Sequence, residues 1–323
     1  MFFPSPQSTA LHLDQEMRDD LGRSLERLAG MASSVLPTDV DMALAAEQAR
    51  HHQLSPGVFA RYYELIHALQ QQAFDRAGTL WREIADGAAE EISFDVRPFD
   101  ITALGDDAAR FQRLLAMGWH ESIMFSPPDA AAWVAFQSHA WDGLELLAEV
   151  CPSWRQELEA LIGRIYGALP SAGEGQRFAG ASCFMVWGAI FINVRKANGR
   201  IHALAGLVHE ATHQMLFGAS RREGLVTNDP AERYSSPLRR DPRPMDGVFH
   251  ATYVSARLSY LYSLLRDADV SAEERSAAAE RVGRQRQRFE QGYAVLCERG
   301  RLTPLGARLI EEAHGAMLDM VTP

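Results

Sequence analysis

The segment "LVHEATHQMLF", Leu207 to Phe217, constrains this chain more than any other. His209, Glu210 and His213 form an H-E-x-x-H pattern on an otherwise apolar run. On an α-helix, residues four apart lie one turn up and roughly 40° round from each other, so both imidazoles can reach one ion. Ile201, Leu204, Leu207 and Val208 precede the pattern, and Met215, Leu216 and Phe217 follow it, which places the helix in a core. Two unpaired imidazoles are costly in such surroundings, and a metal ion offsets that cost. The plain alternative is two histidines satisfied by ordinary hydrogen bonds.

Two histidines hold a catalytic metal weakly, so a third ligand is expected. A metzincin would place Gly at 216 and His at 219; Leu216 and Ala219 stand there. A thermolysin-like enzyme would take a Glu from the next helix. Glu232 lies at a suitable distance but in "DPAERYSSP", a loop composition, and Glu223 falls on the exit of the first helix. His250 is the better candidate, in "DGVFHATYVSARLSYLY", an apolar helical run. A lone buried His more often bonds a carbonyl; here an incomplete metal pair lies just upstream. Such a face with open positions serves hydrolytic zinc and non-haem iron alike, so ligand type does not decide the metal. A structural metal would need a fourth His or Cys nearby, and none is evident.

The loop "YSSPLRRDPRPMDGVFH" leads into His250. Pro237, Pro242 and Pro244 stiffen it around Arg239, Arg240 and Arg243. An arginine fork binds a carboxylate through two hydrogen bonds, as an enzyme anchoring a dicarboxylic cosubstrate requires. The alternative is pairing with Asp229, Asp241 or Asp246, favoured for Arg239 and Arg240. Arg243, between two prolines and nearest His250, is the arginine with a case for the cosubstrate.

Around these segments the periodicity is mostly helical. Helices are expected over residues 14–34 and 39–52, one or two over 54–88, and others over 106–119, 129–169, from about 201, 247–268, 271–299 and 302–318. "EEISFDVRPFDI" alternates as a strand does, and "RFAGASCFMVWGAIFINV" suits two short strands and a turn. The expected class is mainly α (α+β): a helical domain with a small β-sheet beside the HExxH metal-binding helix. A helical N-terminal lobe, 1–169, and a catalytic lobe, 170–323, are one division; a single continuous domain is the other.

A net charge of -10 over 323 residues argues against nucleic-acid binding, which needs dense Lys/Arg patches. Cys151, Cys183 and Cys297 stand too far apart for a disulfide framework or a Cys-type zinc site. "MFFPSPQSTALHLDQEM" has no charged leader followed by a long apolar run, and the longest apolar stretch, "CFMVWGAIFINV", is too short to span a bilayer. A cytoplasmic enzyme with no membrane partner is expected. A homodimer is left open.

"GAIFIN…LVHEATHQ…YSSPLRRDPRPMDGVFHATYV" resembles the bacterial HEXXH-motif peptide-modification proteins, the 2-oxoglutarate-dependent HExxH-type peptide β-hydroxylases. The specific resemblance covers about residues 180–260; the helical front half shares only texture. It implies a RiPP-biosynthesis enzyme using Fe(II), 2-oxoglutarate and O2 to hydroxylate a side-chain β-carbon of a ribosomally made precursor peptide. It also implies iron held by His209, His213 and His250, the far carboxylate of 2-oxoglutarate on Arg243 with Arg239 behind it, and Glu210 orienting a ligand or water, or itself ligating. The competing reading is an HExxH zinc metallopeptidase with Glu210 as general base. A non-enzymatic peptide-binding protein with a structural metal is a third.

Overall fold

In this computed structural model the described residues are 7–119, 124–171, 178–238 and 240–320. The chain opens with α1 (Gln7–Met31), α2 (Met42–His51), α3 (Pro56–Gln70) and α4 (Phe74–Ala88). It continues with β1 (Asp95–Pro98), α5 (Ile101–Leu104), α6 (Asp106–Trp119), β2 (Phe125–Ser126), α7 (Ala130–Val150), α8 (Pro152–Leu161) and β3 (Arg164–Pro170). The last part holds β4 (Gly180–Ala181), β5 (Ala189–Asn193), α9 (Arg200–Ser220), α10 (Met245–Asp267), α11 (Ala272–Arg299) and α12 (Pro304–Asp319). The fold is mainly helical with a small mixed sheet, as the periodicity predicts.

Local chemistry starts many of these helices. Asp41 and Asp129 accept the backbone N–H three residues on, at Leu44 and Ala132. Ser271 and Glu274 form a reciprocal capping box for α11. Pro56, Pro152 and Pro304 sit in first turns, where a missing N–H costs nothing. α9 starts differently: Gly199 adopts φ 93°, a left-handed turn suited to glycine, and brings the chain off β5 into the helix.

The sheet order is β1-β3-β5-β4, with β2 also on β3. β1 and β5 run parallel to β3, while β4 is antiparallel to β5 and forms the edge. The sheet takes strands from both sides of residue 170, with β3 in the middle. The periodicity assigned 162–169 to helix, and the structure corrects this. Gly163 and Gly167 interrupt helix propensity, and the buried run "RIYGAL" reads as either element until its parallel partners are known. β1, β4 and β5 fall within the expected segments, with a 3-10 turn, Phe184–Val186, between β4 and β5, while the short β2 lies where no strand is expected.

Both sheet faces are covered. Ile165, Ile190 and Ile192 join the main core beneath α7 and α9. Tyr166 and Phe191 join Phe99, Phe111, Phe125 and Phe178 in an aromatic cluster on the opposite face. There Phe191 stacks on Phe125 at 5.1 Å and on Tyr166 at 5.3 Å between ring centroids. Among the described residues no helix is long and apolar enough to cross a membrane.

A buried ion pair sets α10 against α8 and α9. Arg257 is 1% exposed, and its Nη2 and Nη1 donate to Glu157 Oε1 and Oε2 at 2.5 and 3.2 Å. The guanidinium lies 4.2 Å from the Trp154 ring, and Nη1 is 3.1 Å from Met215 Sδ of α9. Arg257 is on the helix of His250 and Met215 on the helix of His213, so this clamp ties together the two helices carrying the histidines.

Candidate functional site

His209 and His213 come from the half-buried stripe of α9, and His250 from the first two turns of α10. The structure brings all three side chains together. His209 Nε2 lies 3.2 Å from His213 Nε2, and His213 Nδ1 lies 3.0 Å from His250 Nδ1. The rings of His213 and His250 stack at 5.2 Å with planes 16° apart. Phe217, one turn beyond His213, covers both rings, at 6.2 and 5.4 Å.

Burial keeps these imidazoles neutral. It pushes His209 down to about 4, with the positive charge of Arg288 acting in the same direction. It pushes His213 well below the ordinary histidine range, reinforced by the two neighbouring imidazoles. Burial also lowers His250, against the pull of Asp246, whose Oδ2 is 3.9 Å from His250 Nε2. A neutral imidazole offers the lone pair a metal needs.

The donor set can be tested against a metal ion. With metal–nitrogen bonds of roughly 2.1 Å, two ligand nitrogens about 3.2 Å apart subtend about 100° at the ion, so the Nε2 pair of His209 and His213 fits one. His250 meets His213 through the other nitrogen of that ring. Among the described residues no three His, Cys, Asp or Glu groups point at a common centre. His250 is thus in contact with the pair, and ligation would use a different orientation of its ring.

Glu210 is turned into the protein. It is 2% exposed, accepts a hydrogen bond from Ser182 Oγ at 2.7 Å and has Oε1 3.9 Å from His209 Nε2. Burial raises its carboxyl to about 8 against the opposing effect of the Ser182 hydroxyl. Gly180 of β4 explains how the carboxyl fits: a Cβ there would stand 2.4 Å from Glu210 Oε1 and 2.8 Å from its Cγ. The edge strand therefore lies directly on the HExxH glutamate, and Gln214 Nε2 ties the same helix to β5 through Ala189 O at 3.0 Å.

The arginine loop is placed as follows. Arg243 Nε is 2.9 Å from Asp241 Oδ2, and its backbone exchanges two 2.8 Å hydrogen bonds with Tyr234. Arg239 lies outside the described residues, and Arg240 is exposed. Glu232 is not brought to the histidines: it accepts from the Tyr234 hydroxyl and lies 3.5 Å from Arg301 Nη2. Glu223 is exposed beyond α9.

Sequence reasoning missed Ser182, Asp246 and Arg288. Asp246 was legible in principle, four residues before His250 and so on its helix face. Ser182 and Arg288 depend on tertiary packing. Phe184, just past β4, packs its ring 6.5 Å from Phe217 and lines a cavity of about 740 Å³ with Phe59, Tyr62 and Tyr63. No family model matches the chain, and no curated protein sequence is significantly similar to it.

Proposed function

We propose that the chain is an Fe(II)- and 2-oxoglutarate-dependent oxygenase that hydroxylates a side-chain β-carbon of a ribosomally made peptide. The reading joins the resemblance of residues 180–260 to one structural observation. Three imidazoles from two helices meet beside an edge strand, while the HExxH glutamate is buried beneath that strand.

His209 and His213 would hold the ion, and His250 would complete the face. Iron bound there supplies the site where 2-oxoglutarate and dioxygen are consumed. The stoichiometry is peptide C–H, 2-oxoglutarate and O2 giving peptide C–OH, succinate and CO2, so the cosubstrate provides the two electrons that oxygen needs beyond the C–H bond. Phe217 shields His213 and His250 from water. Ser182 and Gly180 hold Glu210 beside His209, where it orients the cluster from behind. β4 has β5 on one side and, among the described residues, no strand on the other. A peptide can add along that edge, with side-chain room toward the Phe184 cavity.

The zinc peptidase remains the second reading because the HExxH pair is common to both. It requires Glu210 to reach a metal-bound water as its base. The 2% exposure of Glu210 and its Ser182 bond favour the supporting role. The discriminating experiment is succinate release from 2-oxoglutarate by iron-loaded protein, comparing Glu210→Gln with His250→Ala. The oxygenase reading predicts that His250→Ala loses most of the turnover and Glu210→Gln much less. Peptide cleavage that needs no 2-oxoglutarate and vanishes in Glu210→Gln contradicts it.

A further inference from the structure

Two helices each turn one stripe toward the cavity beside Phe184. Met17, Leu21, Ser24 and Arg27 of α1 line it, spaced three or four residues apart and so on one face. Phe59, Tyr62 and Tyr63 of α3 line it in the same way. Ser24 Oγ and the Tyr62 hydroxyl lie 2.6 Å apart and join the two stripes. Phe184 forms a further wall, its ring 6.0 Å from Tyr63 and 6.5 Å from Phe217. Phe217 in turn covers His213 and His250, so two rings separate this cavity from the imidazoles. A volume of about 740 Å³ accepts an aromatic ring with its substituents.

The charged part of the lining is cationic. Arg23, Arg27, Arg221 and Arg222 stand against Asp20 and Glu26. Asp20 is shared by three of them: Arg23, Arg221 at 3.2 Å and Arg222 at 3.4 Å. Glu26 is held by Arg50 at 2.8 Å, and Arg221 also holds Glu16. Arg50 and Glu16 lie outside the lining and cancel each other, so positive charge stays in excess. Among the described residues neither the Arg27 guanidinium nor the Tyr63 hydroxyl has a hydrogen-bond partner. Burial pushes the Tyr63 hydroxyl up, which keeps it a donor. Aromatic walls alone would attract a cation, and the excess of guanidinium repels one. A neutral apolar ligand would use the walls and leave the arginines idle. A ring that carries a carboxylate uses both, since rings pack edge-on or offset and an arginine fork matches a carboxylate.

We propose that this cavity is a second binding site, for an aromatic carboxylate, with the ring among Phe59, Tyr62, Tyr63 and Phe184 and the carboxylate on Arg27. The C-terminal aromatic residue of a peptide and a free arylalkanoic acid share this chemistry. The inference needs neither a metal nor turnover and stands apart from the oxygenase reading.

The test is a ligand-observed NMR titration of the full chain with N-acetyl-phenylalanine, its C-terminal amide and hydrocinnamate. Wild type is compared with Arg27→Gln and Arg27→Lys, whose melting temperatures should match it because Arg27 is exposed. One charge-assisted contact at a solvent-accessible rim predicts that wild type binds the amide at least about fivefold more weakly than the acid. Arg27→Gln should weaken both acids by a similar factor and leave the amide unchanged, and Arg27→Lys should recover part of the loss. Tighter binding of N-acetyl-phenylalanine assigns the site to a peptide C-terminus, and tighter binding of hydrocinnamate assigns it to a free acid; both uphold the proposal. Equal binding of acid and amide, or no binding of either acid, overturns it. Acid binding that survives Arg27→Gln and disappears on adding a chelator places the carboxylate on a metal at the histidines and overturns it as well. Each of these results leaves the oxygenase reading to its own test with 2-oxoglutarate.

Discussion

Glu210 and His209 are adjacent in sequence, yet burial moves their titrations in opposite directions, and stability should record both. For the metal-free chain, His209 is held at about 4 while an unfolded histidine titrates near 6.5. The unfolded state then binds more protons between these values, so stability is full above about pH 6.5 and falls as pH drops toward 4. Glu210 has the reverse sign. Its native carboxyl keeps its proton to about pH 8 while the unfolded one releases it near 4.5, so stability falls as pH rises through that window. Between pH 6.5 and 8 only the Glu210 effect remains of the two. Glu210→Gln should therefore flatten the decline in melting temperature over that range, measured by calorimetry in the presence of a chelator. An unchanged decline would mean that Glu210 is not the group responsible. Ser182→Ala should cost about 1–3 kcal/mol in denaturant unfolding, because a buried acceptor loses its donor. Gly180→Ala should displace the Glu210 carboxyl, since the new methyl would stand 2.4 Å from Oε1; weaker metal binding at undiminished helix content is the expected readout.

The elements were unequally legible. α9 and α10 carry their own signals: apolar runs, histidines at helical spacing and proline stops. α11 announces itself through Ser271 and Glu274, three residues apart. β3 was hidden, because a strand buried on both faces has no alternation to read and its neighbours come from distant parts of the chain. The same limit applies to the site. His209, His213 and His250 were found from spacing and context. Ser182 reaches Glu210 from 28 positions away, and the charge of Arg288 on α11 acts on His209 of α9 across the folded chain. Phe217 was visible as part of an apolar flank, but not as a cover for two imidazoles. The Arg257–Glu157 clamp was likewise invisible, joining residues 100 positions apart. Removing one partner leaves a buried charge uncompensated, so Glu157→Ala should destabilise the chain by about 3–5 kcal/mol. If the clamp also sets the α9–α10 register, a milder Trp154→Phe change should weaken metal affinity while the protein remains folded.

At the scale of the molecule, the small sheet and the helical layers combine to put one short edge strand over one helix. The parallel strands β3 and β5 are enclosed between β1 and β4, and β4 ends its side of the sheet on Glu210. A hydrolase and an oxygenase would use this framework differently: one needs its glutamate at a water, the other needs open metal positions and an anion anchor. The burial of Glu210 agrees with the second use. The most direct measurement is visible absorption of anaerobic, Fe(II)-loaded protein during titration with 2-oxoglutarate. The oxygenase account predicts a weak band that grows with 2-oxoglutarate, saturates, and is absent in His250→Ala. Protein that keeps tightly bound zinc, gives no band with iron and still cleaves peptides without 2-oxoglutarate would contradict it.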